Sequence, residues 1–307
     1  MHLSKSASPT LENSRDSLKL KSWILAARPK TLTAAVIPVL AGVALVSHAG
    51  ARPGWVAAFA LIGALAIQIA TNFINDYIDH DKGADTHERI GPKRVTQSGL
   101  IARADVRKAA GAMLMLALLV GIPLVIHGGL PILLVGVISM LLAYCYTGGP
   151  FPLAYLGLGD AFVILFFGLI AVGGVFYLHT GYYNLDTFVL GLQIGLLSTV
   201  LIAINNLRDI YQDTKVAKRT LAVRLGVKFA RVEIAALTLV PFILQAYWIA
   251  KYDRLAFMAP LLMLPLAVKV VHEVIQTEPS PAYNQFLAHA AALHAGFGVI
   301  ISIVLYV

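Results

Sequence analysis

The chain has 307 residues, 58% hydrophobic and only 13% charged, with a formal net charge of +8 and a mean hydropathy of +0.77. An ordinary soluble domain carries about 25% charged residues, and half that density cannot cover a water-facing globule, so a soluble enzyme, a secreted disulfide scaffold and a disordered chain are excluded. The positive charge fits a basic cytoplasmic face on a membrane protein rather than a nucleic-acid surface, and the lone Cys145 leaves no intrachain disulfide.

In chain order, residues 1–22 are polar and mixed in charge and lack the apolar core of a signal peptide. They are expected to form a loose cytoplasmic segment ahead of a single transmembrane domain, 23–307. A spanning helix needs roughly 20 apolar residues. About nine stretches qualify, near 24–47, 55–78, 109–127, 130–146, 160–179, 187–206, 231–250, 255–275 and 286–306. Pro38, Pro123, Pro241, Pro260 and Pro265 fall within them, which bilayer helices tolerate when neighbours re-satisfy the freed carbonyls. The runs lack the period-2 alternation of a membrane barrel. Of the 24 Lys and Arg, only Arg52, Lys251 and Arg254 fall on one side of these spans. The excess on the other side predicts a cytoplasmic N-terminus.

Acidic residues are sparse, so their places carry information. The second stretch ends in Asn75-Asp76-Tyr77-Ile78-Asp79, and the sixth in Asn205-Asn206-Leu207-Arg208-Asp209 followed by Asp213. Both contain Asn and Asp four residues apart, and a basic cluster follows each. This weak internal echo predicts two pseudo-repeated halves with a site between them. Positions i and i+4 share a helical face, so the acids stack and repel unless a cation offsets them. Carboxylates and amide oxygens suit Mg²⁺, which keeps room for phosphate oxygens. Basic residues close behind can take the remaining diphosphate charge. The competing readings are ordinary interfacial residues at helix ends, or the ion pathway of a cation-coupled transporter.

With these residues in view, the chain resembles the intramembrane aromatic prenyltransferase superfamily that includes 4-hydroxybenzoate polyprenyltransferase. The second acidic motif of that superfamily is intact as Asn205, Asp209 and Asp213. The first matches at Asn75, Asp76 and Asp79, but its last acid is replaced by Gly83, the next acid being Asp85. Lys82-Gly83, Asp85, Arg89, Arg94, Arg28-Pro29-Lys30-Thr31, Tyr146-Thr147-Gly148-Gly149-Pro150 and Gly157-Leu158-Gly159-Asp160 resemble the branch that prenylates 1,4-dihydroxy-2-naphthoate. No Lys or Arg lies between Lys108 and Arg208, where the hydroxybenzoate branch carries a basic pair.

The resemblance implies an all-α bundle around a central cavity open to the cytoplasmic side of the inner membrane. It implies Mg²⁺-dependent transfer of a polyprenyl chain from its diphosphate to the naphthoate, with loss of CO₂ and diphosphate. Mg²⁺ would be held by Asp79, Asp209 and Asp213 with Asp76 or Asp85 assisting. Asn75 and Asn205 would ligate or orient it, and Arg89, Lys93, Arg94 and Lys218 would take phosphate charge. Arg28 or Lys30 would receive the acceptor carboxylate, and Tyr144, Tyr146 and Tyr77 would face the allylic cation. Asp160 is expected to cap the fifth span, with facing the cavity as the alternative, and His289 and His294 to be packed. Other acceptors (4-hydroxybenzoate, homogentisate, a haem or chlorin) remain alternatives.

Overall fold

The structure, a computed structural model, describes residues 9–83, 90–91, 93–150 and 152–307, with side chains from residue 18 onward. Among the described residues it is helical throughout, with no strand. Eight helices are long and apolar enough to cross a membrane.

Helix α1 (Pro9–Ala27) opens the described chain. A loose segment is expected to residue 22, but the backbone is helical from Pro9. Proline is tolerated in a first turn, and no Gly or Pro interrupts the eighteen residues after it. Helix α2 (Pro29–His48) follows across Arg28, whose φ of 53° reverses the chain. Pro29 disfavours the helical region for the residue before it, so α1 cannot run on into α2.

Helix α3 (Trp55–Asp81) and helix α4 (Arg103–Cys145) form the next pair. The predicted stretches 109–127 and 130–146 are both inside α4, a single 43-residue element interrupted at Gly129 (φ 69°, ψ −155°). Its two ends meet the same place. Arg103 bonds Asp81 and lies 5.8 Å from the Tyr77 ring, while Thr147, just past the other end, is bonded by Asn75 and Lys82. The chain therefore doubles back at Gly129, where the left-handed backbone costs glycine nothing.

After a single helical turn, α5 (Leu153–Leu156), helix α6 (Gly159–Val163) continues through a π-helical stretch, Ile164–Ile170, into α7 (Ala171–Thr180). The π stretch lies where Gly168 touches α8 (Leu185–Arg208) backbone to backbone. A Cβ on Gly168 would stand 2.3 Å from the Gly191 carbonyl oxygen and 2.6 Å from Gly195 Cα. Small residues permit this approach in membrane bundles. Then come α9 (Ile210–Lys215), α10 (Leu221–Tyr252), a 3₁₀ stretch Leu255–Met263 around Pro260, α11 (Leu264–Gln276) and α12 (Tyr283–Tyr306).

Helix α8 is the axis of the bundle: 78% of its apolar window is buried, against 17% for α4. Leu190, Ile194 and Leu197 of α8 pack with Leu45 of α2, Phe176 of α7, Trp248 of α10 and Phe297 of α12. Further along, Ile204 and Leu207 pack with Ile234, Val274 and Tyr283. Helix α4 instead turns Leu119, Leu130, Leu134 and Leu141 outward, which is what a lipid-facing wall requires.

Candidate active site

Helix α3 brings the first acidic segment inward. Asn72, Asp76 and Asp79 are buried. The Asn75 amide donates to Asp79 Oδ2 at 3.0 Å and to Thr147 Oγ1 at 3.0 Å, and its Oδ1 accepts from Arg28 at 2.8 Å. Asp79 also accepts from Arg94 at 3.4 Å and from the Tyr155 hydroxyl at 3.2 Å. Asp76 has a different occupation. Its two oxygens accept the backbone N–H groups of Val95, at 3.2 Å, and Thr96, at 3.0 Å. A buried carboxylate spent on backbone donors fastens the segment after the acidic loop against α3.

The second segment sits at the end of α8. Asp209 marks a break between α8 and α9, and the buried Arg208 grips both its oxygens at 2.8 and 2.7 Å. Arg208 also donates to Asn284 Oδ1 at 2.8 Å, and the Asn284 amide donates to the Ile90 carbonyl at 3.1 Å. The predicted shared face is only partly used as such, because Asn205 turns back to the Leu201 carbonyl at 2.9 Å. Asp213 is buried; Lys218 donates to its Oδ1 at 3.2 Å, and its Oδ2 has no partner.

The two segments come together. Burial is the main reason that the Asp213 carboxyl is pushed up to about 6; Lys218 opposes the shift, and the carboxylates of Asp209 and Asp79 reinforce it. Tyr146 stands within the field of both segments. Burial, then Asp160, Asp79 and Asp213, push its phenol above the ordinary range, against Arg28. The phenol therefore keeps its proton.

Among the described residues no three His, Cys, Asp or Glu side chains already cluster as a ready metal-ligand set. Arg94, Arg208 and Lys218 hold the acids instead. The donor set nonetheless fits a hard divalent cation, since Asp213 keeps an orphaned carboxylate oxygen in a buried site within the field of the Asp209 and Asp79 carboxylates.

From this polar head an apolar cavity of about 430 Å³ extends between α3, α4 and α7. Thr71, Tyr146 and Leu153 line one end, and Ile126, Ile132 and Leu178 the other. At 1.5 Å per residue, the helical arm from Ile132 to Tyr146 covers about 21 Å.

The remaining predicted residues are distributed as follows. Tyr144 is 45% exposed and is absent from the cavity wall, while Tyr77 is buried against α4. Lys30 and Lys93 are exposed. Asp85 and Arg89 lie outside the described residues. Asp160 makes no capping bond; it is buried with Oδ1 unpartnered. His289 bonds Glu273 at 2.8 Å and His294 bonds Ser198 at 3.0 Å, in keeping with packed residues. Tyr155 and Asn284, which hold Asp79 and Arg208, have no signal in the sequence, while Thr147, which holds Asn75, lies in the Tyr146–Pro150 motif without a role assigned to it there.

Residues 35–294 match the model of the UbiA prenyltransferase family. The chain is 41% identical over 224 residues to a 1,4-dihydroxy-2-naphthoate octaprenyltransferase of Haemophilus influenzae, covering 70% of this chain and 72% of that one. It is 38% identical over 219 residues to the protein of that name from Escherichia coli, covering 69% and 71%. Its fold is similar to that of a UbiA homolog from Archaeoglobus fulgidus bound to GPP and Mg²⁺, with a TM-score of 0.61 and 16% identity over 92% of this chain and 99% of that one. A UbiA homolog from Aeropyrum pernix gives a TM-score of 0.66 at 16% identity, over 89% and 98%.

Proposed function

The chain belongs to the UbiA prenyltransferase family and is a multi-pass membrane prenyltransferase, and from that premise we propose that it transfers a polyprenyl chain from polyprenyl diphosphate to 1,4-dihydroxy-2-naphthoate. Membership removes the transporter reading. The acceptor reading is supported by relatives of 38 to 41% identity that carry the naphthoate name. The product is the quinol that precedes menaquinone.

One observation carries the assignment: Asp79 and Asp213 lie within each other's field at the polar head of a long apolar cavity. Asp79, Asp209 and Asp213 would hold Mg²⁺, which when bound neutralises the leaving diphosphate. Arg94 and Lys218, beside Asp79 and Asp213, would be placed to take charge from phosphate oxygens. Asn75 is held by Arg28 and Thr147, so it keeps Asp79 oriented. The cavity takes the first isoprene units and excludes water from the allylic cation formed as the C–O bond ionises. Tyr146, in the cavity wall, presents its ring to that cation. The acceptor ring attacks, and loss of its carboxylate as CO₂ restores aromaticity.

The domain 23–307 works as one unit whose halves each supply an acidic segment. We place the site at the inner face of the cell membrane, on the side of the basic clusters. Purified protein in bilayers, given Mg²⁺, labelled polyprenyl diphosphate and the naphthoate, should yield prenylnaphthoquinol, diphosphate and CO₂ in equal amounts. Turnover of hydroxybenzoate in preference to the naphthoate would overturn the acceptor.

A further inference from the structure

Two unspent polar groups lie close together, one in the cavity wall and the other buried beside it. The first is Asp160 at the start of α6, 4% exposed, with a buried Oδ1 that no group of the protein satisfies. The second is the Tyr146 hydroxyl. Tyr146 lines the cavity, and a Cβ built on Gly159, next to Asp160, would lie 3.4 Å from that hydroxyl. Among the described residues the hydroxyl makes no hydrogen bond to the protein, and the nearby Asp160 carboxyl acts on it electrostatically. Glu233 of α10 also approaches Asp160, so no cation compensates the carboxyl from that side.

A buried acceptor with no donor is costly, and buried polar groups in working proteins find partners. A phenolic hydroxyl is both a donor and an acceptor, so one such group satisfies both orphans. We propose that Tyr146 and Asp160 form the acceptor subsite and the proton-holding pair of the reaction: the acceptor's C1 hydroxyl donates to Asp160 Oδ1 and accepts from Tyr146 Oη. This rests on the naphthoate reading above and deepens it.

The step balances without any further reactant. The ring carbon that bears the carboxylate takes the allylic carbon as the allylic C–O bond breaks, and diphosphate leaves with that electron pair. The neighbouring C1 hydroxyl gives its proton to Asp160 and becomes a ketone, with Tyr146 donating to its oxygen. The carboxylate is then β to a ketone. Its C–C bond breaks, CO₂ leaves, and the electron pair flows through the ring to the C1 oxygen. That oxygen takes the proton back from Asp160. The carboxyl ends as it began, and the ring is aromatic again. The geometry also orients the acceptor, with its hydroxyl toward α6 and its reacting carbon toward the diphosphate between Asp79 and Asp213.

The test uses the full chain in bilayers with Mg²⁺, labelled polyprenyl diphosphate, and the naphthoate or its 1-O-methyl and 4-O-methyl ethers. Wild type should turn over the 4-O-methyl ether and fail on the 1-O-methyl ether; equal turnover of both overturns the proposal, and this arm needs no variant. D160N should lower kcat about 100-fold or more, the scale of a lost acid–base group, with KM for the prenyl diphosphate unchanged. An acceptor with a more acidic hydroxyl should recover part of that loss, an effect that a merely structural Asp160 would not produce. D160N at wild-type kcat, or an equal loss of prenyl diphosphate binding, overturns it. If wild type prefers a different phenolic acid, the naphthoate reading fails, and the same D160N loss on that phenol still supports the pair.

Discussion

Tyr155 holds the two acidic segments together from both its ends. Its hydroxyl donates to Asp79 Oδ1 at 3.2 Å, while its carbonyl accepts the backbone N–H of Arg219 at 3.2 Å, one residue from the lysine that pairs with Asp213. The convergence of α3 with the α9 region is therefore fastened by the turn after the fourth predicted span. Replacing Tyr155 with Phe keeps the carbonyl bond and removes only the hydroxyl. A typical hydrogen bond contributes about 1 kcal/mol, so Y155F should lower kcat/KM about fivefold and the unfolding temperature by no more than about 4 °C, measured by prenyl transfer and by thermal unfolding in detergent.

Asp79 and Asp213 are expected to be indispensable. D79A and D213A should each lower prenyl transfer at least 100-fold, the scale of lost electrostatic stabilisation, with the protein still folded. Activity within tenfold of wild type for D213A would remove Asp213 from the metal-holding set.

Asp76 should behave differently from its neighbour. Its oxygens serve the Val95 and Thr96 N–H groups, so D76A leaves two donors unmet. It should destabilise the fold by about 1–3 kcal/mol, lowering the unfolding temperature, with D76N in between. Full stability with a raised Mg²⁺ requirement would make Asp76 a metal ligand instead.

The Asp213 carboxyl, raised by burial from 3.8 to about 6, sets a pH dependence. As pH rises from about 4 to about 6, the unfolded chain ionises this group while the folded chain keeps its proton, so metal-free stability falls across that window. Above it the carboxylate is free to bind a cation. The stabilisation given by Mg²⁺ with diphosphate should therefore be larger at pH 7 than at pH 5. Thermal unfolding at the two pH values, with and without both, measures this, and D213N should lose the difference.

Gly174 of α7 lines the apolar cavity, and a Cβ there meets nothing within 4 Å. Because that space is open, G174L should fold and narrow the cavity. Turnover of long polyprenyl diphosphates should fall more than that of dimethylallyl diphosphate, read from competing donors in one assay.

Much of the architecture was legible because apolar length is a strong signal: α2, α3, α8, α10 and α12 lie where uninterrupted runs predict them. The hairpin inside α4 was legible as two spans, since the glycines at 128 and 129 precede Pro131. The helix from Pro9 was not, because its charges resemble a solvated tail and local composition does not distinguish the two. At the site, the i, i+4 spacing placed Asn75 and Asp79 correctly beside each other. It did not reveal that Asp76 faces a backbone segment, nor that Asn205 turns back on its own helix. Tyr155 and Asn284 were invisible, and Thr147 was visible only as a motif position without a role, because each acts on a partner distant in sequence. For Asp160 the sequence leaves a cap or a cavity-facing residue open, since an acid at a helix start caps by default, and its burial without a capping bond argues against the cap.

The wall that α4 presents is thin, and most of that helix meets lipid rather than protein. On the proposed function, a donor tail longer than the cavity would thread out among the acyl chains, and the bilayer would complete the binding surface. Swapping detergent for membranes of different thickness should then change the turnover of long donors as a substitution in the cavity wall would.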